Sequence, residues 1–242
     1  MNGTHKEAKE YFERFLTFLM KNPLYDRIIG IAPPFTCLYY VSSLIKGTKI
    51  ALCAQNAHFE ERGAFTGEIS PLMLKEMDVK YVIIGHSERR QLFGETDELI
   101  SKRVEGVLKH GLTVILCVGE TLKEREEEKT FQRVEGQLKV GLAHISGKLA
   151  DKLVIAYEPV WAIGTGKNAT PDQAEEVHNF IRKLLAEFFG KEVAEVIPIL
   201  YGGSVTPQNV EELIKMPNID GVLVGGASLD PEKFYKICSV KI

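Results

Sequence analysis

Short apolar runs alternate with longer amphipathic ones from one end of the chain to the other. Seven of the short runs read as strands: Ile28–Ala32, Ile50–Ala54, Tyr81–Gly85, Thr113–Val118, Leu153–Tyr157, Ile197–Tyr201 and Gly221–Val224. They are continuously apolar rather than alternating, the pattern of parallel strands covered on both faces. The segments between them carry helix starts. Thr4-His5-Lys6-Glu7 predicts a capping box, and Ala8, Phe12, Phe15, Leu16 and Leu19 follow at helical spacing. Thr170-Pro171-Asp172-Gln173 supplies an N-cap, a proline at the first helical position and a capping-box glutamine, and Gly190 closes that helix. Thr206-Pro207 and Asp230-Pro231 predict two more helix starts.

Repeated βα units leave an open doubly wound sheet or a closed (β/α)8 barrel. No GxGxxG or GxxxxGK[ST] loop follows any strand, which removes the commonest doubly wound nucleotide binders. The reading is therefore an α/β barrel, and no linker or shift in composition divides residues 1–242 into more than one domain. A closed barrel of this kind has eight strands. The chain opens on a loop and a helix, so the strand not found among the seven is the first.

Composition narrows the setting. Of the 242 residues, 45% are hydrophobic and 26% charged, an ordinary globular balance. A formal net charge of -3 argues against a nucleic-acid surface, which needs a basic face. No apolar run approaches the ~20 residues of a membrane span, and Met1–Glu7 lacks the apolar core of a signal peptide. Cys37, Cys53, Cys117 and Cys238 form no CxxC pair, and two lie in strands, which predicts buried free thiols in a reducing cytoplasm. A cytoplasmic enzyme acting on a small molecule fits.

Candidate chemistry gathers at strand ends, where parallel α/β proteins place their sites. Glu158 follows the strand Leu153–Tyr157 and is itself followed by Pro159-Val160-Trp161-Ala162-Ile163-Gly164-Thr165-Gly166-Lys167, a loop with stiff ends and a pliable middle. Such a carboxylate is either a structural ion-pair partner or a base beside its own lid, and the loop turns the reading toward a base. His86 stands just past Tyr81–Gly85, at what reads as the start of a short helix. Partial positive charge at a helix start disfavours imidazolium, so a neutral ring is expected, suited to donating a hydrogen bond to a carbonyl that becomes an enediolate. The other histidines sit in helical or surface contexts, except His58, which lies in the Gln55–Ser70 loop and is ambiguous. Gly202-Gly203-Ser204 and Gly225-Gly226 follow the last two strands, and such segments let backbone N–H groups approach an anion. No Lys/Arg cluster accompanies them. A phosphate would be held mainly by backbone amides, with the Ser204 hydroxyl in addition.

These segments, with Ala54-Gln55-Asn56, Gly63–Ser70, Ile84–Arg90, Ile115–Glu120, Ala156–Gly166, Leu200–Val205 and Leu223–Leu229, closely resemble the motifs of the triosephosphate isomerase family, in family order and along the whole chain. The resemblance implies Glu158 as catalytic base and His86 as electrophile. It implies phosphate contacts from Gly164, Ser204, Gly225 and Gly226, and support of the catalytic centre by Glu88. It further implies glycolytic interconversion of glyceraldehyde 3-phosphate and dihydroxyacetone phosphate with no metal or cofactor. A homodimer or larger oligomer is implied too, with the loop Gln55–Ser70, Thr66 near its tip, inserted beside the partner's site. The family carries an Asn-x-Lys pair at the end of its first strand, and this chain starts just after it. The expectation is that the chain as written is aggregation-prone and essentially inactive until that strand is supplied. The alternative is a catalytically inactive barrel fragment with a binding or structural role.

Overall fold

The structure, a computed structural model, describes residues 1–162 and 169–241. Among the described residues, seven strands form one parallel sheet in sequence order, curled as a partial barrel: β1 (Ile29–Ile31), β2 (Ile50–Ala54), β3 (Tyr81–Ile84), β4 (Thr113–Val118), β5 (Leu153–Tyr157), β6 (Ile199–Tyr201) and β7 (Gly221–Val222). The order leaves β1 and β7 at the two edges.

All seven predicted strands are present; β2, β4 and β5 have the predicted ends, and β1, β3, β6 and β7 are shorter. β3 stops at Ile84 because Gly85 turns into the left-handed region at φ +75°. β6 starts after Pro198, which has no N–H to give to a ladder. β7 keeps only Gly221 and Val222 of the expected four residues.

Strand parity divides the interior. On β3, β4 and β5 the residues Val82, Ile84, Val114, Leu116, Val118, Leu153, Ile155 and Tyr157 pack outward into the layer shared with the helices. The intervening Ile83, Ile115, Cys117, Val154 and Ala156 form a second, inner cluster, with Tyr81 and Leu200 beside it. Both faces are thus apolar, which is why these runs show no polar alternation.

The helices preceding and following β1 and β2 are α1 (His5–Lys21), α2 (Phe35–Leu44) and α3 (Pro71–Glu76). After β3 come α4 (Ser87–Leu92) and α5 (Asp97–Lys109), and after β4 come α6 (Leu122–Glu126) and α7 (Thr130–Gly141). The remainder are α8 (Pro171–Phe189), α9 (Lys191–Val196), α10 (Val210–Ile214) and α11 (Pro231–Cys238). The capping boxes of α1 and α8 form as read, Gly190 ends α8 at φ +87°, and Asp230 caps α11 through the N–H groups of Glu232 and Lys233. The start at Thr206-Pro207 is displaced. The Asn209 side chain accepts from Thr206 N–H and donates to Ser204 O, so residues 206–209 form a turn and α10 begins at Val210.

The Gln55–Ser70 loop is more ordered than its sequence implies. Arg103, almost fully buried on α5, donates to Ala57 O and to both carboxylate oxygens of Glu68. His58 is stacked against Phe59, tilted against Phe65 and accepts from Glu60 N–H, contacts that give it a structural role in this loop. All four thiols are free, and Cys37, Cys53 and Cys117 are buried. No described helix is long and apolar enough to cross a membrane.

Candidate active site

Glu158 inherits its direction from β5. Val154 and Ala156 point into the inner cluster, and residue 158 is the next on that side. Its backbone is wedged at the sheet's C-terminal rim. Glu158 N–H donates to Val118 O at 2.7 Å, and a Cβ on Gly119 would lie 1.8 Å from Glu158 O. On β6's side, a Cβ on Gly202 would come within 2.9 Å of Glu158 Cγ. Glycines after β4 and β6 are therefore what allow this residue to sit where it does.

His86 arrives by another route. The left-handed Gly85 swings the chain off β3, and His86 becomes the N-cap of α4, its Nδ1 accepting from Glu88 N–H at 3.3 Å. The opposite ring nitrogen, Nε2, lies 2.9 Å from Glu158 Oε1. Ser87 N–H donates to the second carboxylate oxygen, also at 2.9 Å. The two strand-end residues predicted from sequence are in direct contact, with the carboxylate 3% exposed and the imidazole 27%.

The expected neutral imidazole needs correction for this arrangement. Burial pushes the His86 pKa down, as the sequence argument supposed. The Glu158 carboxylate hydrogen-bonded to Nε2, aided by Glu88, outweighs it and raises the pKa above the ordinary 6.5. When the ring is neutral, the N–H aimed at Nδ1 selects the tautomer with its proton on Nε2, the nitrogen facing Glu158. Glu88 contributes mainly through that backbone N–H. Its side chain is exposed, and its carboxylate stands 3.9 Å from Nδ1.

Three groups that the sequence reading passed over support the pair. Gln137 on α7, almost fully buried, grips Gly119 from behind: its Oε1 accepts from Gly119 N–H at 2.8 Å and its Nε2 donates to Gly119 O at 3.2 Å. Arg90 on α4 donates to Gly85 O and Cys117 O. Glu120 is fully buried, and burial raises its pKa despite donors from Trp161 Nε1 at 2.8 Å and Tyr157 OH at 3.1 Å. Val160 N–H donates to Glu120 O, so the 3-10 turn Val160–Ala162 that starts the loop after Glu158 is tied to the end of β4. Arg90 and Glu120 fall within the family-like segments Ile84–Arg90 and Ile115–Glu120, which were the sequence signals available for them, whereas Gln137 had none.

Ser204 and the Gly225-Gly226 pair lie beyond β6 and β7, which are adjacent and in register at Tyr201↔Val222. Both segments therefore emerge side by side from the same rim as His86 and Glu158. Gly225 and Gly226 are exposed and open a 3-10 turn, Gly226–Leu229. A Cβ on either would meet nothing within 4 Å, so crowding within this chain does not explain the glycines. Gly164 and the rest of 163–168 lie outside the described residues.

The chain is similar in sequence to known proteins along nearly its whole length. A family model described as triosephosphate isomerase matches residues 1–241. The chain is 57% identical over 209 residues to the triosephosphate isomerase of Carboxydothermus hydrogenoformans, spanning 86% of this chain and 83% of that one. It is 53% identical over 237 residues to that of Aquifex aeolicus, spanning 98% and 94%. It is 52% identical over 237 residues to that of Acetivibrio thermocellus, spanning 98% and 93%. By a match that runs nearly from end to end, and with a strand order that places His86 and Glu158 on one rim, the chain belongs to the triosephosphate isomerase family.

Proposed function

We infer that the protein interconverts glyceraldehyde 3-phosphate and dihydroxyacetone phosphate. The observation that carries this reading is the 2.9 Å approach of His86 Nε2 to Glu158 Oε1 at the ends of β3 and β5. A carboxylate takes a proton from carbon next to a carbonyl, and an N–H donor stabilises the oxygen on which charge develops. Glu158 removes the proton from the carbon beside the carbonyl, whose electrons pass into an enediolate. His86, with its proton on Nε2, donates that proton to the oxygen on which charge develops, and Nε2 then takes the proton of the neighbouring hydroxyl, so the charge passes from one oxygen of the enediolate to the other and the ring is restored. Glu158 then returns the proton to the neighbouring carbon, and no other reactant is consumed.

Substrate has to enter between groups now 2.9 Å apart, so Glu158 must leave both the ring and Ser87 N–H during each cycle. Withdrawal of the carboxylate also removes what raised the His86 pKa, which favours the neutral ring that the donation needs. The phosphate group is assigned to the backbone N–H groups of Gly225 and Gly226, the Ser204 hydroxyl and Gly164. Support comes from the emergence of two of these segments from adjacent strands and from the open space around both glycines. The protein is assigned to the cytoplasm and to a homodimer in which the Gln55–Ser70 loop meets the partner. Phe65, exposed at 41% beside an exposed Thr66, supplies the apolar surface for that contact.

The test is a coupled rate assay in each direction, run alongside unphosphorylated glyceraldehyde and dihydroxyacetone. Turnover of the phosphorylated pair at far higher kcat/KM is expected, in opposition to the inactivity expected from the sequence read alone. Comparable rates with the unphosphorylated pair, or none with either, refute the reading. Sedimentation of Phe65→Asp against the parent tests the loop assignment, which fails if the mass is unchanged.

A further inference from the structure

We propose that Arg90 is a positioning residue that sets the distance between the electrophile-bearing and base-bearing strand ends; this rests on the isomerase reading above. Its guanidinium stands inside the rim, only 11% exposed, and bridges two strands. Nε donates to Gly85 O at 2.7 Å, the carbonyl directly before His86. Nη2 donates to Cys117 O at 3.0 Å, two residues before Gly119, against which Glu158 is wedged. Neither carbonyl continues a ladder across β3 and β4, whose pairing ends at Ile84↔Leu116. Arg90 therefore takes over where the sheet stops and ties the rims together.

The third nitrogen, Nη1, is held by Asp97 in the first turn of α5. The other oxygen of Asp97 faces Arg133 Nη1 at 3.4 Å, and Arg133 Nε lies 3.5 Å from Glu124 on α6. The guanidinium plane is thus fixed from outside, and its two inward N–H groups are aimed at carbonyls of different strands. Lysine has the charge but not the planar fork, and its single ammonium is a poor substitute at two divergent acceptors. Gly85 is part of the device. In its left-handed conformation its carbonyl reaches Arg90 Nε, and a Cβ there would lie 3.1 Å from Arg90 Nη2 and 3.3 Å from Cys117 O.

The chemistry needs this because His86 and Glu158 come from strands separated by β4. Nothing in the sheet ladder reaches Gly85 or fixes the turn that carries His86 away from it. Slack at this joint displaces the imidazole relative to the base, and ~1 Å of displacement in a reacting pair costs ~100-fold in rate. Phosphate contacts on β6 and β7 are remote from the joint and are not expected to change.

The experiment compares Arg90→Lys, Arg90→Ala, Asp97→Asn and Arg133→Gln with the parent. For each, kcat, KM, thermal midpoint and affinity for inorganic phosphate are measured. Arg90→Lys is expected to lose ~30-fold or more in kcat with KM and phosphate affinity within ~3-fold of the parent. Asp97→Asn and Arg133→Gln are both expected to fall between it and the parent, with Arg133→Gln, one contact further from Arg90, the nearer to the parent. Millimolar guanidinium, which can enter the cavity of about 70 Å3 bounded by Arg90, Arg133 and Glu158, is expected to restore part of the kcat of Arg90→Ala, whereas urea and ammonium are not. Parent-like kcat in Arg90→Lys overturns the proposal. So does a loss of kcat that tracks the thermal midpoint and shows no guanidinium rescue, which makes Arg90 a stabilising residue only. An inactive parent instead refutes the isomerase reading, so the two failures are told apart.

Discussion

Gly119→Ala is the sharpest test of how the site is built. The added Cβ would stand 1.8 Å from Glu158 O and 2.7 Å from its carbonyl carbon. Ordinary contact begins near 3.4 Å, so something must retreat by about 1.6 Å. Gly119 is gripped on its other side by both amide atoms of Gln137, and Glu158 N–H is bonded to Val118 O. Moving Gly119 leaves buried donors and acceptors unpaired, at ~1–3 kcal/mol each. Moving Glu158 carries the carboxylate out of its 2.9 Å contact with His86. A shift beyond ~1 Å costs ~100-fold or more in rate. Gly119→Ala should therefore lower kcat by at least ~100-fold and lower the thermal midpoint. Gly136→Ala is the control. It lies within α7, where a Cβ meets nothing within 4 Å, and should gain up to ~1 kcal/mol with unchanged kcat. Steady-state kinetics and calorimetry on both variants decide the matter. Parent-like kcat in Gly119→Ala would show that the rim is softer than this wedge implies.

Three further outcomes follow from the same geometry. Glu158→Asp withdraws the carboxylate by one methylene and should reduce kcat by ~100-fold while phosphate affinity persists, as read by steady-state kinetics and phosphate titration; normal turnover removes Glu158 from the role of base. The imidazole of His86 should titrate above 6.5 by NMR and move down in Glu158→Gln. Because that pKa is raised by folding, the contact stabilises below the ordinary pKa and is lost as pH rises through the raised value, so a Glu158→Gln variant that melts like the parent at low pH contradicts the assignment. His178 is fully buried, its Nδ1 3.0 Å from Asn218 O, and burial pushes its pKa down to about 4. The unfolded chain then binds a proton that the folded one does not as pH falls from 6.5 toward 4, and stability drops in that window. His178→Leu should flatten the fall in thermal midpoint across it, and an unchanged slope refutes this.

The sequence by itself determined the run of parallel strands, the helix caps at Thr4 and Thr170, and the two residues His86 and Glu158. Each is a local matter: continuous apolar runs require cover on both faces, capping is settled within four residues, and a polar residue directly after a buried strand has only the rim to occupy. The family's motifs added the expected phosphate contacts at Ser204, Gly225 and Gly226 and the companion role of Glu88. Tertiary structure decided the rest. The raised pKa of His86 depends on a carboxylate 72 positions away in sequence, brought to 2.9 Å by the sheet. Gly119 and Gly202 read as ordinary turn glycines until Glu158 is seen packed against both. Arg90, Gln137 and Glu120 look like helical or loop polar residues until their partners on other strands are in place. Such roles are set by which atoms meet across the rim, and no periodicity along the chain encodes a contact between elements that the fold alone makes neighbours.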